Sequence, residues 1–189
     1  MLLGIPPLSS CFNYSAVLGD ASWPVFLWQF FSYRRAGFED FKIKLSGIGS
    51  RDRQKVRTFR GKKKLRVRGD ANNLWPDADA CLRALALLDC DWFALEEPVV
   101  AGDLVAARAV GRELQVPIIL DESFTDQHVL PLLSEDPERW ILNLRVSKLG
   151  GLLNTLDIAH KAQKLGLKVI VGAHVGETSL LTRAALTVA

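Results

Sequence analysis

The chain has 189 residues, 49% of them hydrophobic and 24% charged, with a formal net charge of +3. That length and apolar content suffice for one sizeable core, and so small a net charge does not by itself imply a polyanionic partner. Cys11, Cys81 and Cys90 are widely spaced, odd in number and without a CxxC. They fit reduced thiols in a cytoplasmic protein better than a disulfide framework.

Residues 1–13 read as a leader or linker. The opening MLLGIPPLSSCF has no basic n-region and is interrupted by two prolines, so it is not read as a signal peptide. Tyr14 to Leu18 is a first strand. Trp23 to Arg35 is a helix that Gly37 stops. Its apolar part, WPVFLWQFF, falls far short of the ~20 residues of a spanning helix and reads as a buried helix, so no membrane segment is expected. Phe38 to Leu45 is a second strand, residues 51–60 a short helix, and Leu65 to Gly69 a third strand. Asp77 to Leu88 is amphipathic, with Pro76 and Asp77 placed as helix starters. Strands follow at Trp92 to Leu95, Val116 to Leu120, Trp140 to Val146 and Leu167 to Val171. The helices between and after them are Asp103 to Leu114, Asp126 to Ser134, Asn154 to Leu165 and Ser179 to Ala189. Alternation of this kind predicts an α/β fold with a parallel sheet, and residues 14–189 read as one catalytic domain.

A ladder of polar side chains runs through this pattern. Lys44, Asp70, Glu96, Asp121 and Arg145 each close a β-branched or apolar run, at steps of 26, 26, 25 and 24 residues, and His174 follows 29 later. Each step fits one βα unit, so the same strand end carries a charge every time. In a closed parallel barrel those ends meet on one face, where active sites of that fold lie. The seven strands are one short of the usual eight, which points to a partial (β/α) barrel; an open seven-stranded sheet is the less favoured arrangement.

The residue types suggest chemistry. Strand alternation puts Lys42 and Lys44 of FKIKL on one face with Ile43 opposite. Two ammonium groups that close disfavour each other's charge, which suits one of them to be a general base. The competing reading is a pair of solvated lysines. Asp70, Glu96 and Asp121 are hard oxygen donors suited to Mg²⁺, and the lack of Cys and His among them argues against zinc. A metal beside a lysine base is the apparatus for removing a proton α to a carboxylate.

The strings FKIKL, GDANNLW, ALEEP, ILDES and NLRVSKLGG together resemble the enolase superfamily, in particular its muconate-lactonising, dipeptide-epimerase and succinylbenzoate-synthase branch. The resemblance implies a TIM-type barrel, incomplete here at about seven βα units, with the final strand and an N-terminal capping domain outside these residues. It implies Mg²⁺ held by Asp70, Glu96 and Asp121, Lys44 as base, and Lys42 tuning it and contacting a substrate carboxylate. Asn72 and Glu122 would orient the ligands. The expected partner is a small-molecule carboxylate, leading to isomerisation, cycloisomerisation or elimination, with self-association left open. An inactive paralogue of the same fold is the alternative.

Departures from that pattern sharpen the expectation. Arg145 stands where this branch places a second lysine, and a guanidinium stays protonated, so it is a poor proton shuttle. One-base chemistry is therefore favoured over two-base racemisation. Lys148, three residues on, is a weaker substitute because ideal alternation turns it away from the face of Arg145. His174 reads as a substrate contact or packed loop residue, and Glu177 matches a glutamate near the substrate. Residues 51–68 hold ten basic side chains against one acid, and read as a solvated helix and turn rather than a nucleic-acid surface. Arg68-Gly69-Asp70 spells an adhesion tripeptide inside a predicted buried strand and reads as coincidence. Gly150-Gly151 could cradle an anion or form a tight turn.

Overall fold

A computed structural model of the chain describes residues 12–173 and 178–189. The chain forms two compact units, one spanning Tyr14–Ser123 and one containing Phe124–Ala189. In the first, strands β1 (Ser15–Leu18), β2 (Asp40–Lys44), β3 (Arg66–Asp70), β4 (Trp92–Glu96) and β5 (Ile118–Leu120) alternate with helices α1 (Trp23–Arg35), α2 (Gly49–Arg57), α3 (Ala78–Leu85) and α4 (Leu104–Leu114). The strands pair in parallel, each with the next in sequence. The second unit carries a 3₁₀ turn running into the short α5 (Leu130–Leu133). Then come β6 (Trp140–Leu144), α6 (Leu152–Lys164), β7 (Lys168–Val171) and α7 (Ser179–Val188), with β6 and β7 parallel. All seven expected strands are therefore present. The single helix expected over Asp126 to Ser134 is instead a 3₁₀ turn and one α-turn. Pro131 sits inside that stretch and cannot donate the amide a continuous helix would need there.

Local chemistry accounts for the element ends. Asp77 caps α3 by accepting from the Ala80 amide at 2.7 Å, and Asp103 caps α4 through Ala106 at 2.9 Å. Gly150 and Gly151, both at positive φ, turn the chain from β6 into α6, which accounts for the double glycine as a tight turn.

Strands β1 and β2 alternate strictly, whereas β3, β4 and β5 end in consecutive buried residues. In β2, Phe41 and Ile43 are buried against the helices while Lys42 and Lys44 face the other way. Phe30 of α1, Phe41 and Phe59 form a mutual aromatic cluster, with centroids 5.0–5.4 Å apart. Gly69 is glycine for a packing reason. A Cβ there would lie 3.0 Å from Trp92 and 3.2 Å from Leu45. With Asp70 buried beside it, the adhesion tripeptide is not displayed.

Two expectations need correction. Helix α1 is not buried all round: Phe26 and Phe30 are inside, but Trp28 is 69% exposed and Val25 and Phe31 are open as well. The basic run is not wholly solvated either, because Lys55 is only 2% exposed and Asp52, its acidic member, only 3%. A lysine this far inside needs partners, and it has three.

The thiols of Cys81 and Cys90 are both pushed up to about 12, Cys81 by burial and Cys90 by burial with the Asp91 and Asp89 charges adding to it. At pH 8 both stay protonated and poorly nucleophilic. Folded protein treated with iodoacetamide should leave the Cys81 and Cys90 peptides unlabelled, by mass spectrometry, until denaturant is added. Rapid labelling of either in the folded state would contradict this.

Candidate active site

The register of the parallel sheet builds the site. Lys44 of β2 pairs with Asp70 of β3, and Asp70 pairs with Glu96 of β4, so the three last strand residues stand at one level. Glu96 pairs with Ile119, and Asp121 lies just past the end of β5. The carboxylates of Asp70, Glu96 and Asp121 are each about 1% exposed.

Two lysines converge on the first two of those acids. Lys42 Nζ lies 2.6 Å from Asp70 Oδ2 and 2.7 Å from Glu96 Oε1. Lys44 Nζ, one-third exposed, donates to the same Asp70 oxygen at 2.6 Å and to Asn72 Oδ1 at 2.5 Å. Burial pushes the Asp70 carboxyl up, but the ammonium groups of Lys42 and Lys44 outweigh it and hold Asp70 below its ordinary value. Asn72, at φ 44° in the turn after β3, also donates to Glu122 Oε1 at 3.1 Å. Asparagine tolerates that left-handed backbone better than most residues. The Asn72–Glu122 pair, expected as an orienting group, is thus brought together beside Lys44.

Glu97 was not singled out in the sequence, yet it ties three strand ends together. It is 2% exposed, at φ 42°, and its carboxyl accepts from the amides of Asp121 (2.5 Å) and Ser123 (2.7 Å), from Ser123 Oγ (2.6 Å) and from Asn73 Nδ2 (3.0 Å). Burial pushes its carboxyl above the ordinary value, Glu122 adds to this, and the Ser123 and Asn73 donors only partly offset it. The signal was present in the EEP string as a second acid, but pattern alone does not distinguish a ligand from a brace.

The other candidates lie in the second unit. Arg145 follows β6 directly, and its carbonyl accepts from the amides of Lys148 and Leu149. Lys148 is therefore in a turn rather than on the strand, so strand alternation does not set its direction. Its ammonium reaches the Asn143 carbonyl at 3.3 Å and lies 6.0 Å from the Phe124 ring centre. His174 and Glu177 lie outside the described residues.

As a donor set for a divalent cation, the three acids are all oxygen, anionic and buried, which suits Mg²⁺ in kind. Lys42 places a single positive charge between two of them. Among the described residues, no three acid, histidine or cysteine side chains stand close enough, as placed, to enclose a metal ion.

The family follows from comparison. Residues 29–189 match the model of the enolase C-terminal domain-like family, and the chain belongs to that family. Its seven βα units are those of the family's TIM-type barrel domain. Among curated relatives, it is 26% identical to the N-succinyl-L-Arg/Lys racemase of Bacillus cereus over 81% of this chain and 42% of that protein. The fold matches the dipeptide epimerase of Enterococcus faecalis V583, with a TM-score of 0.80, 25% identity, and coverage of 91% of this chain and 51% of that one. The same epimerase complexed with Mg and the dipeptide L-Leu-L-Tyr matches at a TM-score of 0.77 and 25% identity, over 87% of this chain and 47% of that one. The chain spans about half the length of these proteins or less.

Proposed function

We propose that this chain is the barrel portion of a Mg²⁺-dependent enzyme that removes the proton α to a carboxylate. Lys44 is the base, and Asp70, Glu96 and Asp121 hold the metal. The observation that carries this reading is the single level of Lys44, Asp70 and Glu96 across three paired strands, with both lysines reaching the buried acids. When bound, Mg²⁺ would stabilise negative charge developing on the substrate's carboxylate oxygens.

The chain's own residues supply the rest. Lys44, the more exposed lysine, stands at the mouth of the site, where Asp70 and Asn72 orient its amine toward an incoming α-carbon. Lys42 supplies a positive charge for the substrate carboxylate. It would have to yield its place between Asp70 and Glu96 to the metal, so Lys42→Met should bind Mg²⁺ more tightly than wild type in calorimetric titration. Weaker binding in that variant would contradict the placement. Asn72 and Glu122 keep the turn after β3 in register with the turn after β5. The substrate is a small carboxylate, such as an N-succinyl amino acid or a dipeptide of the kinds named for the relatives.

The test is α-proton exchange in deuterium oxide across N-succinyl-arginine, N-succinyl-lysine and hydrophobic dipeptides, with Mg²⁺ or with a chelator. Exchange that needs Mg²⁺ is the expected result. Arg145 favours exchange without inversion, because a guanidinium cannot serve as the second base. It also motivates a second reading, a member that has kept the fold but lost turnover. Mg²⁺ binding with no exchange on any compound would select that one.

A further inference from the structure

We propose that Lys55, on the α2 helix, is a positioning residue for Lys44, acting through the backbone carbonyl of Lys44 and the β2–α2 turn. The proposal rests on Lys44 being the base. Lys55 reaches from α2 back under the end of β2, where its ammonium donates to the Lys44 carbonyl at 2.7 Å. It also meets Asp52 Oδ1 at 3.1 Å and Asp20 Oδ1 at 2.8 Å, so its three N–H groups are all used.

Asp52 extends the tie. Its carboxylate accepts from the Ser46 amide at 2.9 and 3.1 Å, from Ser46 Oγ at 2.9 Å and from the Gly47 amide at 3.0 Å. On the other side, the Leu45 amide donates to the Asp70 carbonyl at 2.9 Å and prolongs the β2–β3 pairing. Every residue from Lys44 to Gly47 is thereby held by a polar contact. Lysine has four rotatable side-chain bonds, so its amine is placed only as well as its Cα is placed. A buried ion pair is a costly way to hold an ordinary loop, whereas hydrogen bonds from fixed groups are an effective way to lock a backbone. Its location under the proposed base gives it a reason to be there.

The expected effect follows from the sensitivity of reactions to position, since a shift near 1 Å costs on the order of 10²-fold. In the full chain with Mg²⁺ and the N-succinyl amino acids and dipeptides above, Lys55→Met should lower kcat for exchange by about 10²-fold. KM and the Mg²⁺ dissociation constant should stay within about twofold, as expected if only placement of the base is lost. The pair Lys55→Met/Asp52→Asn leaves no uncompensated charge inside and covers the case in which the single variant does not fold. A folded variant with kcat near wild type overturns the proposal. A second readout does not depend on turnover: NMR of reductively ¹³C-methylated lysines, with the Lys44 signal assigned by its loss in Lys44→Arg. That signal should move or broaden in Lys55→Met, and an unchanged signal overturns the proposal. If wild type exchanges nothing while the Lys44 signal still moves, the base assignment fails and the positioning contact stands.

Discussion

Lys44→Arg is expected to lose α-proton exchange by about 10²–10⁴-fold, the usual share of a general base. The choice of arginine separates two roles. A guanidinium preserves the positive charge facing Asp70 and Asn72, but it does not release a proton at working pH. If Lys44 serves only as a counter-ion for Asp70, the arginine variant should exchange nearly as well as wild type. Exchange kept in Lys44→Arg therefore removes Lys44 from the proton-transfer step. Mg²⁺ binding, measured alongside by calorimetry, should survive, because the three carboxylates are untouched.

Glu97→Ala is expected to cost the folded state about 4 kcal/mol, because two backbone amides and two side-chain donors lose their acceptor at once and each loss costs at least about 1 kcal/mol. In a chain of this size that corresponds to a fall in Tm of roughly 10 °C. Glu97→Gln should be much milder, near 1 kcal/mol. Its oxygen can still serve the Asp121 and Ser123 amides, but its NH₂ would face Asn73 Nδ2, which is already committed to the Val99 carbonyl at 2.7 Å. The pair also carries a pH signature. Burial first, and Glu122 second, raise the Glu97 carboxyl in the folded state. Its contribution to stability is thus complete below the ordinary glutamate range and declines as pH rises through the raised folded value. Unfolding free energy of wild type minus that of Glu97→Gln should fall from pH 4 to pH 8. A flat or rising difference would show that the carboxyl is not raised.

Much of this architecture is legible in the amino-acid order. Strands bounded by turn residues at a repeat near 25 residues give the βα alternation, and period-two alternation in FKIK correctly puts both lysines on one face. The acids at strand ends are legible for the same reason. What escapes is anything decided by tertiary distance. Lys55 sits among nine other basic residues, and nothing local distinguishes the one that turns inward to a carbonyl eleven residues earlier. Glu97 escapes because its partners lie 24 and 26 residues away on neighbouring strand ends. The exposed side of α1 escapes because a helix apolar all round carries no pattern to say which face is covered.

The strict two-residue alternation of β2 also bears on how such a site can change over descent. Deleting Phe41, just ahead of the two lysines, would hand both of them to the helix-packed side and push the aliphatic side chain of Ile43 into the mouth. A slip of register that begins ahead of Lys42 therefore keeps or loses the two lysines together. Asp121, placed beyond the last paired residue of β5, is under no such constraint. An insertion near it would not invert a strand but would pull its amide away from the Glu97 carboxyl, so a brace rather than strand register keeps this acid where it is.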